Sequence, residues 1–144
     1  MTDARRVRVA AYALTLDDAG RILLCRISPT IAPGQLWTLP GGGLDFGEEP
    51  EVGVLRELAE ESGYDGEVIA LADASSHVFP DTDLEGGRVH AVRIVYRVRV
   101  AGGELRDEVD GSTDTCGWFT FDEAARLHLG DLARRVLALA MADA

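Results

Sequence analysis

Apolar and polar positions alternate most clearly between Arg88 and Val100, where His90, Val92, Ile94, Tyr96 and Val98 fall on one face and Ala91, Arg93, Val95 and Arg97 on the other. A period of two held over this length predicts a β-strand. Arg6 to Thr15 alternates in the same way and is rich in valine and alanine. Asp17-Asp18-Ala19-Gly20 then reads as a turn into a second strand, Arg21 to Ile27, so the two are expected to form a hairpin. Ser28 to Gln35 is a loop with Pro and Gly, and Leu36 to Thr38 is a short strand. Glu67 to Ser76 begins as a strand that loosens at Ala74-Ser75-Ser76. Phe79 to Gly87 is a loop, Ala101-Gly102-Gly103-Glu104 turns the chain, and Gly117 to Thr120 is a short strand.

Three segments read as helices. Asp131 to Met141 carries Leu132, Val136, Leu139 and Ala140 as an apolar stripe, and Asp122 to Leu127 is a short helix before it. The third runs from about Pro50 to Ser62. Pro50 suits the first helical position, Glu48, Glu49 and Glu51 gather where the helix dipole favours negative charge, and Gly63 stands where a left-handed residue ends a helix. Strands mixed with a central and a terminal helix point to an α/β fold with a sheet covered on both faces.

On a helical wheel with Glu57 at zero, Gly53, Glu60 and Glu61 lie within about 60° of it, while Leu55, Leu58 and Ser62 fall on the far side. Like charges at this spacing destabilise an isolated helix by roughly 0.2–0.5 kcal/mol per pair, and a divalent cation is the natural compensation. The competing reading is a solvated acidic face. Against it, the helix has no Lys, and Gly41-Gly42-Gly43 just before it describes a backbone that comes close to something or exposes its carbonyls. Carboxylates and a backbone carbonyl are hard oxygen donors, suited to Mg²⁺ or Mn²⁺. The glycines do not form a phosphate-binding P-loop, since Glu48-Glu49 follows Gly47 where Lys and Ser or Thr are required. Asp81-Thr82-Asp83-Leu84-Glu85-Gly86 opens like a calcium loop, but Val92 stands where a bidentate Glu is needed.

Composition narrows the partners. The 144 residues are 47% hydrophobic and 27% charged, which fits one globular domain over residues 1–144. Fourteen basic against 25 acidic residues give a net charge of −11. Such a surface repels a nucleic-acid polymer but leaves small phosphorylated molecules as ligands, because bound metal reverses the local potential. Met1-Thr2-Asp3-Ala4-Arg5-Arg6 does not lead into a long apolar run, and no stretch is long and apolar enough for a membrane span, so a cytoplasmic protein is expected. Cys25 and Cys116 are too few for a disulfide framework, and Cys25, within Ile22-Leu23-Leu24, reads as a buried structural thiol. His77, His90 and His128 show no metal-ligand spacing.

Gly42 through Tyr64 resembles the Nudix box, G-x5-E-x7-R-E-U-x-E-E-x-G-U with U aliphatic. Gly42, Glu48, Arg56, Glu57, Leu58, Glu60, Glu61 and Gly63 fill its fixed positions, and Tyr64 stands where Ile, Leu or Val is usual. The likeness extends less sharply to Leu36-Trp37-Thr38-Leu39-Pro40 and to Gly117-Trp118-Phe119. It implies an α/β/α sandwich around a mixed sheet, with the box forming a loop, helix and loop beside the active site. It also implies that Glu57, Glu60, Glu61 and the Gly41 carbonyl hold Mg²⁺, with Mn²⁺ the other candidate. By the same resemblance Glu57 is the general base, although some members take it from another loop. Arg56, partnered by Glu48, orients the carboxylates, and Gly42 supports the turn. A further carboxylate is expected from Asp107, Glu108, Asp110 or Asp114, with Asp110 and Asp114 favoured.

The reaction so implied is hydrolysis of a phosphoanhydride in a nucleoside diphosphate linked to another group. Pro80, 16 residues after Tyr64, is a marker for ADP-ribose, while a nucleoside triphosphate, oxidised or not, is the competing substrate. Arg26 is a candidate phosphate contact or a surface arginine. Phe79, Trp37, His77 and Tyr96 are candidates to grip a base, with core packing as the other explanation. The alternative function is a non-hydrolytic nucleotide-binding or sensor protein of the same fold. A homodimer, formed by the alternating N-terminal strand extending a sheet across a two-fold, is expected by analogy.

Overall fold

In the computed structural model, which describes residues 4–144, the chain forms β1 (Arg5–Leu14), β2 (Ile22–Ile27), β3 (Trp37–Thr38), β4 (Gly41–Gly43), α1 (Pro50–Ser62), β5 (Tyr64–Pro80), β6 (Arg88–Gly103), β7 (Thr113–Phe119), α2 (Phe121–Ala125) and α3 (Asp131–Ala142). Residues 1–3, part of the stretch read for a leader, lie outside the described residues. Two sheets result, ordered β4-β1-β6-β5 and β3-β2-β7. The first is mixed, since β1 runs parallel to β6 while β4 and β5 are antiparallel to their neighbours. No helix of the described residues is long and apolar enough to cross a membrane.

Helices cover both faces of the four-stranded sheet. Ala11 and Ala13 of β1 pack with Val54 and Leu58 of α1, and the alternate positions Tyr12 and Leu14 pack with Leu132, Val136 and Ala140 of α3. The period of two in β1 therefore divides the core into two layers, each closed by an amphipathic helix. Helix α1 has the expected limits: Pro50 opens it, and Gly63 ends it at φ 84° with its N–H on Ala59 O at 2.9 Å. The short α2 starts with a reciprocal capping box between Thr120 and Glu123.

The expected hairpin of the first two strands is not formed. Its turn exists, held by Asp17 Oδ1, which accepts from the Ala19 and Arg21 N–H groups at 3.0 and 2.7 Å. Beyond one Leu16–Ile22 bridge, however, the strands part into different sheets, because β6 and β4 flank β1 while β3 and β7 flank β2. β1 is thus an interior strand, paired with β6 throughout and with β4 at Ala10–Tyr12. The full-length open edge belongs to β5, and β1 has strand β4 beside it only at Ala10–Tyr12. β5 also exceeds its expected length. Ala74, Ser75 and Ser76 pair with Ile94, Arg93 and Val92, so a long partner overrides the weak strand preference of alanine and serine.

Two further expectations change. Gly41–Gly43, read as a lead-in to the helix, is itself a strand. Cys25 is not a free thiol: the β2–β7 register sets it opposite Cys116 with Cα atoms 4.0 Å apart, and the two form a disulfide. Antiparallel pairing, invisible in the spacing of 91 residues, brings them together.

The left-handed Gly63 gives a stability test, because a Cβ there would lie 2.3 Å from Glu104 O. Gly63→Ala is expected to cost more than about 1 kcal/mol, read as a lower urea midpoint with unchanged m-value. An unchanged midpoint would show that the helix end relaxes freely.

Candidate functional site

The pairing of β4 with β1 fixes where α1 presents its glutamates. Gly41 lies opposite Tyr12 at φ 145°, and a Cβ on it would fall 2.3 Å from Ala11 O, so only glycine fits. Its N–H donates to Glu61 Oε2 at 2.8 Å. At the next residue, Gly42, a Cβ would stand 3.0 Å from Glu57 Oε1. The missing side chain lets that carboxylate lie against the strand.

The three glutamates of the helix face are not equivalent. Glu61 is 2% exposed and, among the described residues, has no cationic partner. Burial pushes its pKa from the ordinary 4.5 up to about 9; the Gly41 N–H opposes this, while Glu57, Glu108 and Glu60 add to it. The Glu57 side chain is 15% exposed, and burial raises its pKa too, against the pull of Arg56. Glu60, at 50%, remains in solvent. A solvated acidic face describes Glu60 but not Glu61.

Arg56 organises the other carboxylates. Its Nε and Nη2 donate to Glu48 Oε2 and Oε1 at 2.8 and 2.9 Å, a two-pronged pair. Its Nη1 donates to Glu57 Oε1 at 3.2 Å and reaches Glu60 Oε2 at 3.3 Å. Glu48 is held down at about 2 by the Arg56 hydrogen bonds and then by the Asp45 N–H at 3.0 Å. With Arg56 drawing in Glu57 and Glu60, and Glu61 turned to Gly41, no three such side chains among the described residues converge on one point as metal ligands would.

The structure brings Glu48, Arg56, Glu57, Glu60, Glu61, Gly41 and Gly42 together, and leaves other expected residues elsewhere. Asp114 is committed to Arg26 by two hydrogen bonds of 2.9 and 2.8 Å, and the Arg26 guanidinium lies 5.9 Å from the Trp37 ring centroid. Asp110 sits in an exposed turn at φ 59°. Of the late acidic run it is Glu108, not Asp110 or Asp114, whose charge acts on both Glu57 and Glu61. Thr113 Oγ1 donates to Glu108 at 3.1 Å, and any Cβ on Gly111 would collide with its carboxylate. Only the path of the loop into β7 selects Glu108 over its neighbours.

The aromatic candidates divide as well. Tyr96 is in the core, and Trp37 packs edge-on to Phe119 with centroids 5.0 Å apart. Phe79 stacks with His77 on β5, two side-chain rows from the row of Gly43 and Ala10. Pro80 ends β5 opposite Arg88, a structural place for the proline read as a substrate marker.

The chain matches the NUDIX domain over residues 6–140. It is 36% identical over 104 residues to a putative mutator protein MutT4 of Mycobacterium tuberculosis, covering 72% of this chain and only 36% of that protein's length. It is 30% identical over 141 residues to the nucleoside triphosphatase NudI of Salmonella paratyphi B, covering 93% of this chain and 96% of that protein. Among solved structures, a MutT NUDIX hydrolase from Burkholderia pseudomallei superposes with TM-score 0.73 at 31% identity, covering 92% and 97% of the two chains.

The buried carboxylate sets a pH dependence. Because the Glu61 pKa is raised on folding, its effect on stability is most favourable below about 4.5 and is lost progressively as pH rises towards 9. Glu48 has the opposite sign, its contribution being present above about 4.5 and lost as pH falls towards 2. In chelator-treated protein, Glu61→Gln is expected to raise Tm at pH 8 by a few degrees and to leave it near wild type at pH 5. Equal melting of the two proteins at both values would contradict the burial argument.

Proposed function

The chain belongs to the Nudix family, and we propose that it is a Mg²⁺-dependent pyrophosphohydrolase acting on a nucleoside triphosphate. One observation carries the reading: a carboxylate, Glu61, is buried near Gly41, Glu57 and Glu108 with no cationic side chain of the described residues paired to it. Burying a carboxylate is costly unless it is protonated or paired, and here further carboxylates add to the cost. A divalent cation removes it. The donors suit Mg²⁺, since Glu57, Glu60, Glu61 and the Gly41 carbonyl would all be hard oxygen ligands, and the charge of Glu108 on Glu57 and Glu61 supports it as the late-loop carboxylate of the set. Bound there, Mg²⁺ supplies polarisation of a phosphoryl oxygen, neutralisation of the leaving phosphate and a lowered pKa for water.

The chain's own residues have separate tasks in this reading. Glu57 is the general base in this reading, its carboxylate largely buried against Gly42 and hydrogen-bonded by Arg56. Arg56 positions Glu57 and Glu60 and is itself locked by Glu48. Water, giving its proton to Glu57, attacks one phosphorus as the anhydride bond breaks, and nucleoside monophosphate and pyrophosphate result. A triphosphate substrate is supported by the likeness to a nucleoside triphosphatase along nearly the whole chain. The non-hydrolytic reading has no such support, because every glutamate of the box is present.

Incubation with about a dozen nucleotides and Mg²⁺, followed by chromatography of products, tests class and substrate together. Turnover is expected with a nucleoside triphosphate and should vanish with chelator. Glu60→Gln or Glu61→Gln is expected to lose on the order of 10²-fold or more in kcat, as for loss of a main electrostatic stabiliser. Full activity in either variant would remove that residue from the metal set. Glu108→Gln separates the late-loop carboxylates: it should lose at least tenfold, while Asp110→Asn stays near wild type.

A further inference from the structure

We propose that Arg8 and Arg93 form an anion-binding subsite on the sheet face opposite α1, which grips a phosphate of the substrate beyond the bond being cleaved and so selects triphosphates over diphosphates joined to a neutral sugar. This rests on the hydrolase reading for its substrate, but its own evidence is separate.

Strand β4 lies at the edge of its sheet, and its glycines look both ways. A Cβ at Gly42 would meet Glu57 at 3.0 Å on the α1 side, whereas a Cβ at Gly43 would meet the Arg8 guanidinium at 3.3 Å on the other. The acidic site and Arg8 are therefore separated by little more than one glycine strand. On this second face, Gly43, Ala10 and Arg93 form one row across β4, β1 and β6, with Arg8 and Ala91 in the next. Tyr12 and Val95 continue the face towards α3. A polyphosphate laid across the β4 edge would have the carboxylates of α1 on one side and the Arg8 guanidinium on the other.

Six arginines of the chain are held by carboxylates, and Arg8 and Arg93 are not among them. Arg6, Arg21, Arg26, Arg56, Arg99 and Arg135 each pair with an Asp or Glu. Among the described residues Arg8 makes no hydrogen bond or ion pair. Arg93 Nε is buried with no acceptor, and Nη2 reaches only Ser75 Oγ at 3.5 Å. The carboxylate near it, Asp73, is committed to Arg135 at 2.7 Å. The Arg8 guanidinium beside Gly43 and the buried Arg93 Nε are thus donors on one sheet face that can take an acceptor brought from outside. The planar guanidinium fork suits phosphate oxygens, and with no side chain at Gly43 the approach to Arg8 stays open.

Titration calorimetry with Mg²⁺ and the non-hydrolysable imidotriphosphate and imidodiphosphate tests the subsite directly. Wild type should prefer the triphosphate, and Arg8→Gln should reduce that preference about tenfold or more, as for loss of a hydrogen bond between charged groups. Arg8→Lys should retain part of it. Arg93 is partly buried, so Arg93→Gln is read only after its circular dichroism melt shows it folded; Arg8→Gln decides otherwise. With a nucleoside triphosphate as substrate, Arg8→Gln should raise KM with kcat within a few-fold of wild type. An Arg8→Gln protein that binds both probes as wild type does overturns the subsite, whatever its activity. If wild type hydrolyses nothing while Arg8→Gln still loses the triphosphate preference, the hydrolase reading falls and the subsite stands.

Discussion

The hydrogen bond from the Gly41 N–H to the buried Glu61 carboxylate ties together the parts of this molecule that bear on chemistry. It joins β4 to the last turn of α1, and each partner is in place for its own reason. Gly41 can hold φ 145° beneath Ala11 O because it has no side chain, and Glu61 is carried inward by a helix whose other residues, Val54 and Leu58, fill the core. Apolar burial supplies the stability that lets an unpaired carboxylate remain inside. The site is thus a local electrostatic debt held by the packing around it.

The same edge strand organises the second face. Three glycines in a row deprive β4 of side chains, so groups from neighbouring elements approach its backbone from both sides, Glu57 from one and Arg8 from the other. Strand alternation does the sorting: odd positions of β1 go to α1, and even positions turn Arg8, Ala10 and Tyr12 the other way. An acidic chain thereby keeps a cationic patch close to its acidic site. The disulfide between Cys25 and Cys116 lies in the second sheet, with Cys116 Sγ 3.4 Å from the Glu61 carbonyl oxygen, so that sheet too abuts the end of α1.

Where sequence reading failed, long-range pairing was the reason. The turn at Asp17–Arg21 was legible because Asp17 bonds to groups two and four residues away. The absence of a hairpin around it was not, because it depends on β6 and β7 taking the two strands as partners. Ala74-Ser75-Ser76 has weak strand character of its own and becomes strand opposite Val92–Ile94. The cysteines, 91 residues apart, pair only through the β2–β7 register.

By itself the sequence determined the limits of α1, its capping glycine and the glutamates on one of its faces, since these rest on contacts within a few residues or on a regular helical repeat. Only the tertiary structure decided that Glu61 is buried while Glu60 is not, that Glu108 faces the site while Asp114 serves Arg26, and that Arg8 and Arg93 share a sheet face. Burial and charge proximity depend on which distant strands become neighbours. Local periodicity states which way a side chain points but not what it meets there.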